Sequence, residues 1–221
     1  MWITVQRLEF CQDFFCKYKD LEDPGPDVSR IITEVLFLHN GPIYKFILQL
    51  TYDFKITLEC LNKWILFLSR KGVKYILLEN FNEPIQMPPH LFSCQESTYF
   101  KLRGFNLSIP PSYCGFKSLL QLELLYFTFE LGELESLVSS CPLLEELLIL
   151  HCFGCECIDL SSSTLKVLDI RNVPAIKSIC LEKATNLIDL TLNLHHNCIF
   201  DLKESITNIQ RLTMRLSSKV S

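Results

Sequence analysis

One apolar spacing recurs along the whole chain: an apolar residue, two others, a second apolar residue, one other, and a third. The clearest copy starts at Leu119 and is repeated 25 residues later, starting at Leu144. Side chains alternate between the two faces of a β-strand, so the last two apolar positions of each copy predict a short strand with one buried face. The nine copies begin at Val5, Ile43, Val73, Ser97, Leu119, Leu144, Leu165, Leu187 and Ile209. We therefore predict nine strands in one register, the fourth with a polar first position.

Helical spacing connects several of these strands. Apolar residues three or four apart predict a helix over 28–36 with Asp27 as its N-cap, and a second over 58–68 capped by Thr57. A third stripe covers 134–141. Each such helix has one apolar face to bury, and so does each strand. A repeat unit of one strand and its connection is therefore stable only when neighbouring units stack against it.

The connections change character along the chain. Three prolines within 82–94 predict a loop with one turn at most. After Cys152 the helical spacing stops, and short apolar segments at 157–160, 176–181 and 199–202 predict strands on the outer side. The predicted fold is α/β: a leucine-rich-repeat solenoid forming one domain over residues 1–221. Its N-terminal half is backed by helices and its C-terminal half by strands.

Charge and cysteine content restrict the function classes. The formal net charge is −4 with no run of five like charges, so no nucleic acid and no membrane surface is expected as a partner. No apolar run reaches the roughly 18 residues that a membrane span needs. Eleven cysteines, an odd number at irregular spacing, favour buried free thiols over a disulfide framework. We expect a cytoplasmic or nuclear protein.

Four potential metal ligands lie close together in the sequence at His151, Cys152, Cys155 and Cys157. Zinc would need these side chains to converge. The favoured interpretation is a core role, because Cys152 occupies the Asn/Cys position of the repeat and Cys157 starts the next strand. Neither a nucleophile–base arrangement nor a glycine-rich phosphate loop is recognisable. We expect no enzyme activity, no metal and no cofactor, with a small metal-binding protein as the remaining alternative.

Recognition by shape is the function that these observations leave. If the last two apolar positions of each copy point inward, the strand residues directly before, between and after them line a concave surface, because strand side chains alternate. Tyrosine and arginine are enriched among the residues that dominate protein interfaces. The candidate protein-binding residues on this surface are Tyr75, Glu79, Tyr99, Lys101, Arg103, Gln121 and Glu123.

Several stretches resemble the plant F-box proteins with leucine-rich repeats, often of the F-box/FBD/LRR type. They cover residues 35–48, 64–80, 137–152 and 163–192, and the most specific are the Trp64 segment and SCPLLEEL. The resemblance implies that the repeats select a protein target. It also implies that an F-box ahead of them grips the Skp adaptor of a cullin-based ubiquitin ligase.

The sequence departs from that family at both ends. The first predicted strand already begins at Val5, where an F-box would have to precede it, and no FBD segment is recognisable before Ser221. The Skp adaptor and cullin are therefore expected as partners only of a form that carries an F-box. The alternative is a truncated or decoy repeat module that binds its target without any ligase link.

Overall fold

A computed structural model shows nine parallel strands side by side in a single sheet. It describes residues 4–20, 24–52, 54–110, 113–160, 164–174, 176–182, 184–195, 199–201 and 208–217. The described strands are β1 (Arg7–Phe10), β2 (Lys45–Leu50), β3 (Tyr75–Asn80), β4 (Ile85–Gln86), β5 (Tyr99–Arg103), β6 (Phe105–Asn106), β7 (Gln121–Leu125), β8 (Glu146–Leu150), β9 (Cys157–Asp159), β10 (Val167–Arg171), β11 (Ser178–Cys180), β12 (Asp189–His195), β13 (Ile199–Asp201) and β14 (Arg211–Ser217). The large sheet runs in the order β1-β2-β3-β5-β7-β8-β10-β12-β14.

The predicted register of the nine strands is confirmed. The second apolar position of each copy pairs with its counterpart in the neighbouring strand, as in Phe46 with Ile76 and Leu122 with Leu147. Ser97, the polar exception, is fully buried, and its hydroxyl donates to the carbonyl of Val73 at 2.8 Å. That hydrogen bond lets a polar side chain occupy a core position.

Helices cover the N-terminal half of the sheet. They are α1 (Gln12–Phe15), α2 (Pro24–Leu38), α3 (Leu58–Ser69) and α4 (Glu133–Ser139). The predicted cap of α3 is confirmed, because the Thr57 hydroxyl accepts from the amide of Cys60. The predicted start of α2 is wrong: the helix already begins at Pro24, and Asp27 lies in its first turn, 3.6 Å from Arg30. Proline suits a first helical turn, where its missing N–H has no intrahelical acceptor.

Strands replace helices on the outer side after Cys152, as predicted. β9, β11 and β13 form a separate parallel sheet; position 202 of the predicted third strand lies outside the described residues. The proline-rich stretch contains a 3₁₀ turn at Pro89–Ser93. It also contains β4, which was not predicted and which pairs with β6.

The core fills the space between the nine-stranded sheet and this outer layer. Its largest fully buried side chains are aromatic and include Trp64, Phe46 and Phe100. At β14, the last strand of the sheet, the core positions Leu212 and Met214 are about half exposed, at 49% and 46%. Within the described ranges, no helix combines the length and apolar content that crossing a bilayer requires. We call the side of the sheet that points away from the core the open face; it is the surface predicted above to be concave.

Candidate functional site

The seven predicted binding residues all lie on three adjacent strands of the open face, β3, β5 and β7. Tyr75, Tyr99 and Gln121 form one row across these strands. Glu79 pairs with Arg103, and Lys101 with Glu123, in the rows beyond. The fold thus brings together residues up to 48 positions apart in the chain. We refer to these seven residues as the patch; that it binds a protein remains a prediction.

Two tyrosine rings form the start of the patch. The rings of Tyr75 and Tyr99 are stacked in parallel, with centroids 4.1 Å apart and planes 5° from each other. The ammonium of Lys45 lies 4.7 Å from the Tyr75 ring centroid, within cation–π range. The Tyr99 hydroxyl donates to Glu123 at 2.6 Å. Burial, reinforced by that bond to a carboxylate, raises the pKa of Tyr99 above its ordinary value, so this hydroxyl stays protonated and keeps donating.

A charged network forms the middle of the patch. The Lys101 ammonium lies 3.3 Å from Glu79 and 3.9 Å from Glu123, and so bridges two strands. The Glu79 side chain is only 7% exposed, and its second oxygen accepts from the Gln49 amide at 2.7 Å. A buried carboxylate needs such partners, because its desolvation is otherwise costly. The network therefore holds these side chains in fixed positions.

Arg103 sits between two aromatic rings. The carbon of its guanidinium is 4.4 Å from the Phe81 ring centroid and 4.0 Å from that of Tyr126. The rows of rings continue on both sides: Phe81 meets Tyr52 edge to face, and Tyr126 stacks on His151 with centroids 4.8 Å apart. Sequence reasoning selected Arg103 but missed the rings that hold it.

Two of these rings, those of Tyr126 and His151, lie just beyond the strand ends, in a column of residues with left-handed backbone. Gly104, Tyr126, His151 and Asn172 have φ angles of 73°, 55°, 53° and 52°. A Cβ at Gly104 would lie 2.2 Å from the carbonyl oxygen of Asn80, so only glycine fits there. The left-handed residues directly follow the strands, and there the rings of Tyr126 and His151 stack on each other.

A sequence signal for this column exists. Tyr126 and His151 each follow the last apolar position of their copy by two residues, and Asn172 does the same. The alternation of side chains predicts the orientation of residues within a strand only. Tyr126, His151 and Asn172 lie past the ends of their strands. Comparing equivalent positions between repeats would have selected them.

The cysteine cluster does not form a metal site. Among the residues that the structure describes, no three His, Cys, Asp or Glu side chains converge in a way that could hold a metal ion. Cys152 is fully buried, as predicted, and its thiol donates to the carbonyl of Leu124 at 3.4 Å. Burial raises the pKa of Cys152 and Cys155 to about 12. The core interpretation is wrong for Cys157, which is exposed because β9 turns Ile158 inward instead.

Comparison with known proteins finds similarity to F-box proteins with leucine-rich repeats. Residues 61–215 match the family described as FBD-associated F-box protein At5g56370, LRR repeats. The F-box/FBD/LRR-repeat protein At1g13570 of Arabidopsis thaliana is 32% identical over 205 residues, covering 92% of this chain and 48% of that protein. Its relative At5g56420 is 26% identical, covering 86% and 42%. The F-box/LRR-repeat protein At3g26922 is 24% identical, covering 98% and 79%. The chain thus spans about half the length of the first two relatives.

Proposed function

The chain belongs to the F-box/FBD/LRR-repeat family, in its leucine-rich-repeat region, and on that premise we propose that its open face recognises a protein target. Leucine-rich repeats in this family are generally non-catalytic, and we propose the same of this chain. Residues 1–221 would act as one repeat domain. Its role is presentation: a rigid surface holds the target while other subunits act on it.

The stacked pair Tyr75 and Tyr99 is the observation that carries this proposal. Aromatic side chains supply much of the binding energy at protein interfaces. Here Lys45 and Glu123 already hold the two rings in place. Ordering side chains costs roughly 0.5–1.5 kcal/mol each on association, and a preformed stack avoids much of that cost.

The names of the relatives include an F-box, and this supports proposing a ligase role. In a form of this protein that carries an F-box, we propose the Skp adaptor and a cullin as further partners. The target bound on the open face would then be presented for ubiquitin transfer. No nucleic acid, membrane, metal or cofactor is part of this proposal.

The proposal includes a location in the cytoplasm or nucleus. Nine cysteines within the described ranges, among them the buried Cys94, Cys141 and Cys152, are free thiols, a state that suits a reducing compartment. Imaging of a fluorescent fusion in plant cells tests it, and accumulation in the secretory pathway would contradict it.

The recognition role is tested by substitution on the two faces of the molecule. A two-hybrid screen identifies candidate targets, and calorimetric titration measures their affinity for the purified chain. Tyr99→Ala combined with Arg103→Ala should weaken binding at least about 30-fold, since truncating a dominant interface residue costs about 2 kcal/mol or more. Glu59→Ala with Lys63→Ala, an exposed pair on α3, is the matched control and should bind normally. Unchanged affinity in the Tyr99→Ala, Arg103→Ala variant would contradict the proposal that the patch binds the target.

The ligase role has its own test. The Skp adaptor is co-expressed with the 221-residue chain and, separately, with a form that carries an F-box. We expect co-purification with the second form only. Failure of the F-box form to bind the adaptor would leave target recognition without a ligase link, which is the decoy alternative.

A further inference from the structure

We propose that Arg103, with Phe81 and Tyr126, forms a clamp that binds a carboxylate side chain of the protein target. The clamp is defined by these three residues. The inference rests on the proposed recognition function and adds the chemistry of the partner: an acidic residue next to a bulky apolar one.

The first support is the geometry of the guanidinium. Its central carbon lies 4.4 Å from the centroid of the Phe81 ring and 4.0 Å from that of the Tyr126 ring, and these rings belong to the chain segments on either side of β5. A guanidinium carries five N–H donors in its own plane, arranged to match the two oxygens of a carboxylate. The two rings hold the guanidinium from two sides, and its N–H donors have no hydrogen-bond acceptor among the described residues. The rings also fix its orientation before any ligand arrives.

The second support is that the positive charge of Arg103 has no anionic partner among the described residues. On the open face of β1 to β7, the other described cations are engaged: Arg7 and Lys45 by Glu9, and Lys101 by Glu79. Arg103 makes no ion pair and no side-chain hydrogen bond with any residue that the structure describes. Its in-row neighbour Glu79 is occupied by Lys101 and Gln49. A held but uncompensated cation is complementary to an anionic group from outside.

The surroundings decide what accompanies the carboxylate. Beside Phe81, a cleft of about 360 Å³ has one apolar wall, formed by Tyr52, Phe54 and Phe81. The rest of its lining is Gln12, Cys16, Lys19, Gln49 and Thr51. The aromatic wall suits a bulky apolar side chain. The clamp and the cleft share Phe81, so one short segment of target could place an acidic residue on Arg103 and an apolar residue beside it.

A carboxylate fits better than a phosphate. Proteins that recognise phosphorylated peptides use clusters of arginine, whereas the nearest open-face cation, Lys101, already bridges two carboxylates. A single planar guanidinium matches one carboxylate in a bidentate pair.

The test uses a phage-displayed library of random 12-residue peptides selected on the 221-residue chain. We expect enrichment of Asp or Glu adjacent to an aromatic or large aliphatic residue. The selected peptide is then synthesised with its acidic residue and with the corresponding amide. Wild-type protein should prefer the acid about 10- to 100-fold, as expected for a charge-assisted pair, and Arg103→Gln should lose most of that preference. Arg103→Lys should show an intermediate preference, because an ammonium is a point charge without the planar fork.

The remaining outcomes separate the clamp from recognition in general. Lys63→Gln, on the exposed surface of α3, is the control and should keep the full preference. Peptides enriched without an acidic residue, or an acid preference unchanged in Arg103→Gln, would overturn the clamp and leave protein recognition standing. A phosphoserine replacement that binds more than about 10-fold tighter than the acid would assign the clamp to phosphate and overturn the carboxylate. No enrichment on wild-type protein would count against recognition itself and the clamp with it.

Discussion

The indole N–H of Trp64 donates a hydrogen bond of 2.9 Å to the hydroxyl of Thr33. Trp64 lies on α3, is 1% exposed, and belongs to the core; Thr33 lies on α2. The Thr33 hydroxyl in turn donates a hydrogen bond to the carbonyl oxygen of Ser29 at 2.6 Å. This part-buried chain of hydrogen bonds joins α2 and α3, the two longest of the described helices, which lie on the side of the sheet opposite the open face.

Replacing Thr33 with valine should destabilise the protein, because it leaves the buried indole N–H without an acceptor. The expected loss is about 1–3 kcal/mol in the free energy of unfolding, measured by urea titration followed by circular dichroism. In a Trp64→Phe background the donor is already absent, so Thr33→Val should cost less there. Equal costs in both backgrounds would mean that the hydrogen bond is not the cause.

Removing the charge of Lys101 should be costly as well. Lys101→Met leaves Glu79, whose side chain is 7% exposed, with Gln49 as its remaining described partner. We expect a loss of roughly 2–3 kcal/mol, below the roughly 3–5 kcal/mol of a fully buried pair, since Lys101 itself is partly exposed. Lys74→Met, which breaks the exposed pair with Glu96, is the control and should cost less than about 1 kcal/mol. Equal effects in the same urea titration would argue against a buried network.

Gly104 should tolerate no side chain. Gly104→Ala introduces a Cβ 2.2 Å from the Asn80 carbonyl oxygen at a φ of +73°, whereas at Gly132 (φ +79°) a Cβ would meet nothing within 4 Å. Both alanines carry the left-handed strain of about 1–2 kcal/mol, and only Gly104→Ala adds a clash of about 1–3 kcal/mol. Thermal unfolding of the two variants should rank Gly104→Ala as the less stable. The reverse order would contradict the packing at this column.

Cysteine reactivity should follow burial. Burial raises the pKa of Cys94, Cys152 and Cys155 to about 12, so these thiols are not ionised at pH 8 and should resist iodoacetamide. Cys16 and Cys157 are exposed and should react within minutes. Peptide mass spectrometry measures the extent of labelling at each cysteine, and labelling of the unfolded protein in urea is the positive control. Fast labelling of Cys152 in the folded protein would contradict its place in the core.

The raised pKa values of Cys94, Cys152 and Cys155 also predict that the protein loses stability at alkaline pH. An unfolded thiol ionises near pH 8.5, while these three stay protonated in the folded protein up to about pH 12. The folded state therefore binds more protons between those values, and stability should be lost as the pH rises through that window. Urea titrations at pH 7, 9 and 10 measure the loss. Cys152→Ala should show a shallower decline, and an identical slope would assign the effect to other groups.

The regular elements were predictable because their causes are local. The nine strands follow from the alternation of buried side chains, and α3 from its apolar stripe and the Thr57 cap. The start of α2 at Pro24 was missed, since the buried Pro24 and Gly25 extend the helix beyond its apolar stripe. The pairing of β4 with β6 was also missed. Both are two-residue strands, too short to show any alternation.

The apolar spacing by itself determined the solenoid, its nine-strand register and the residues that face away from the core. It could do so because each repeat buries the same positions against its neighbours. Only the tertiary structure decided that Arg103 lies between Phe81 and Tyr126, which are 22 and 23 residues away in the chain. That contact depends on how far each strand extends and on the left-handed turn that follows it. Those features arise when repeats stack, because the chain after each strand packs against its neighbour.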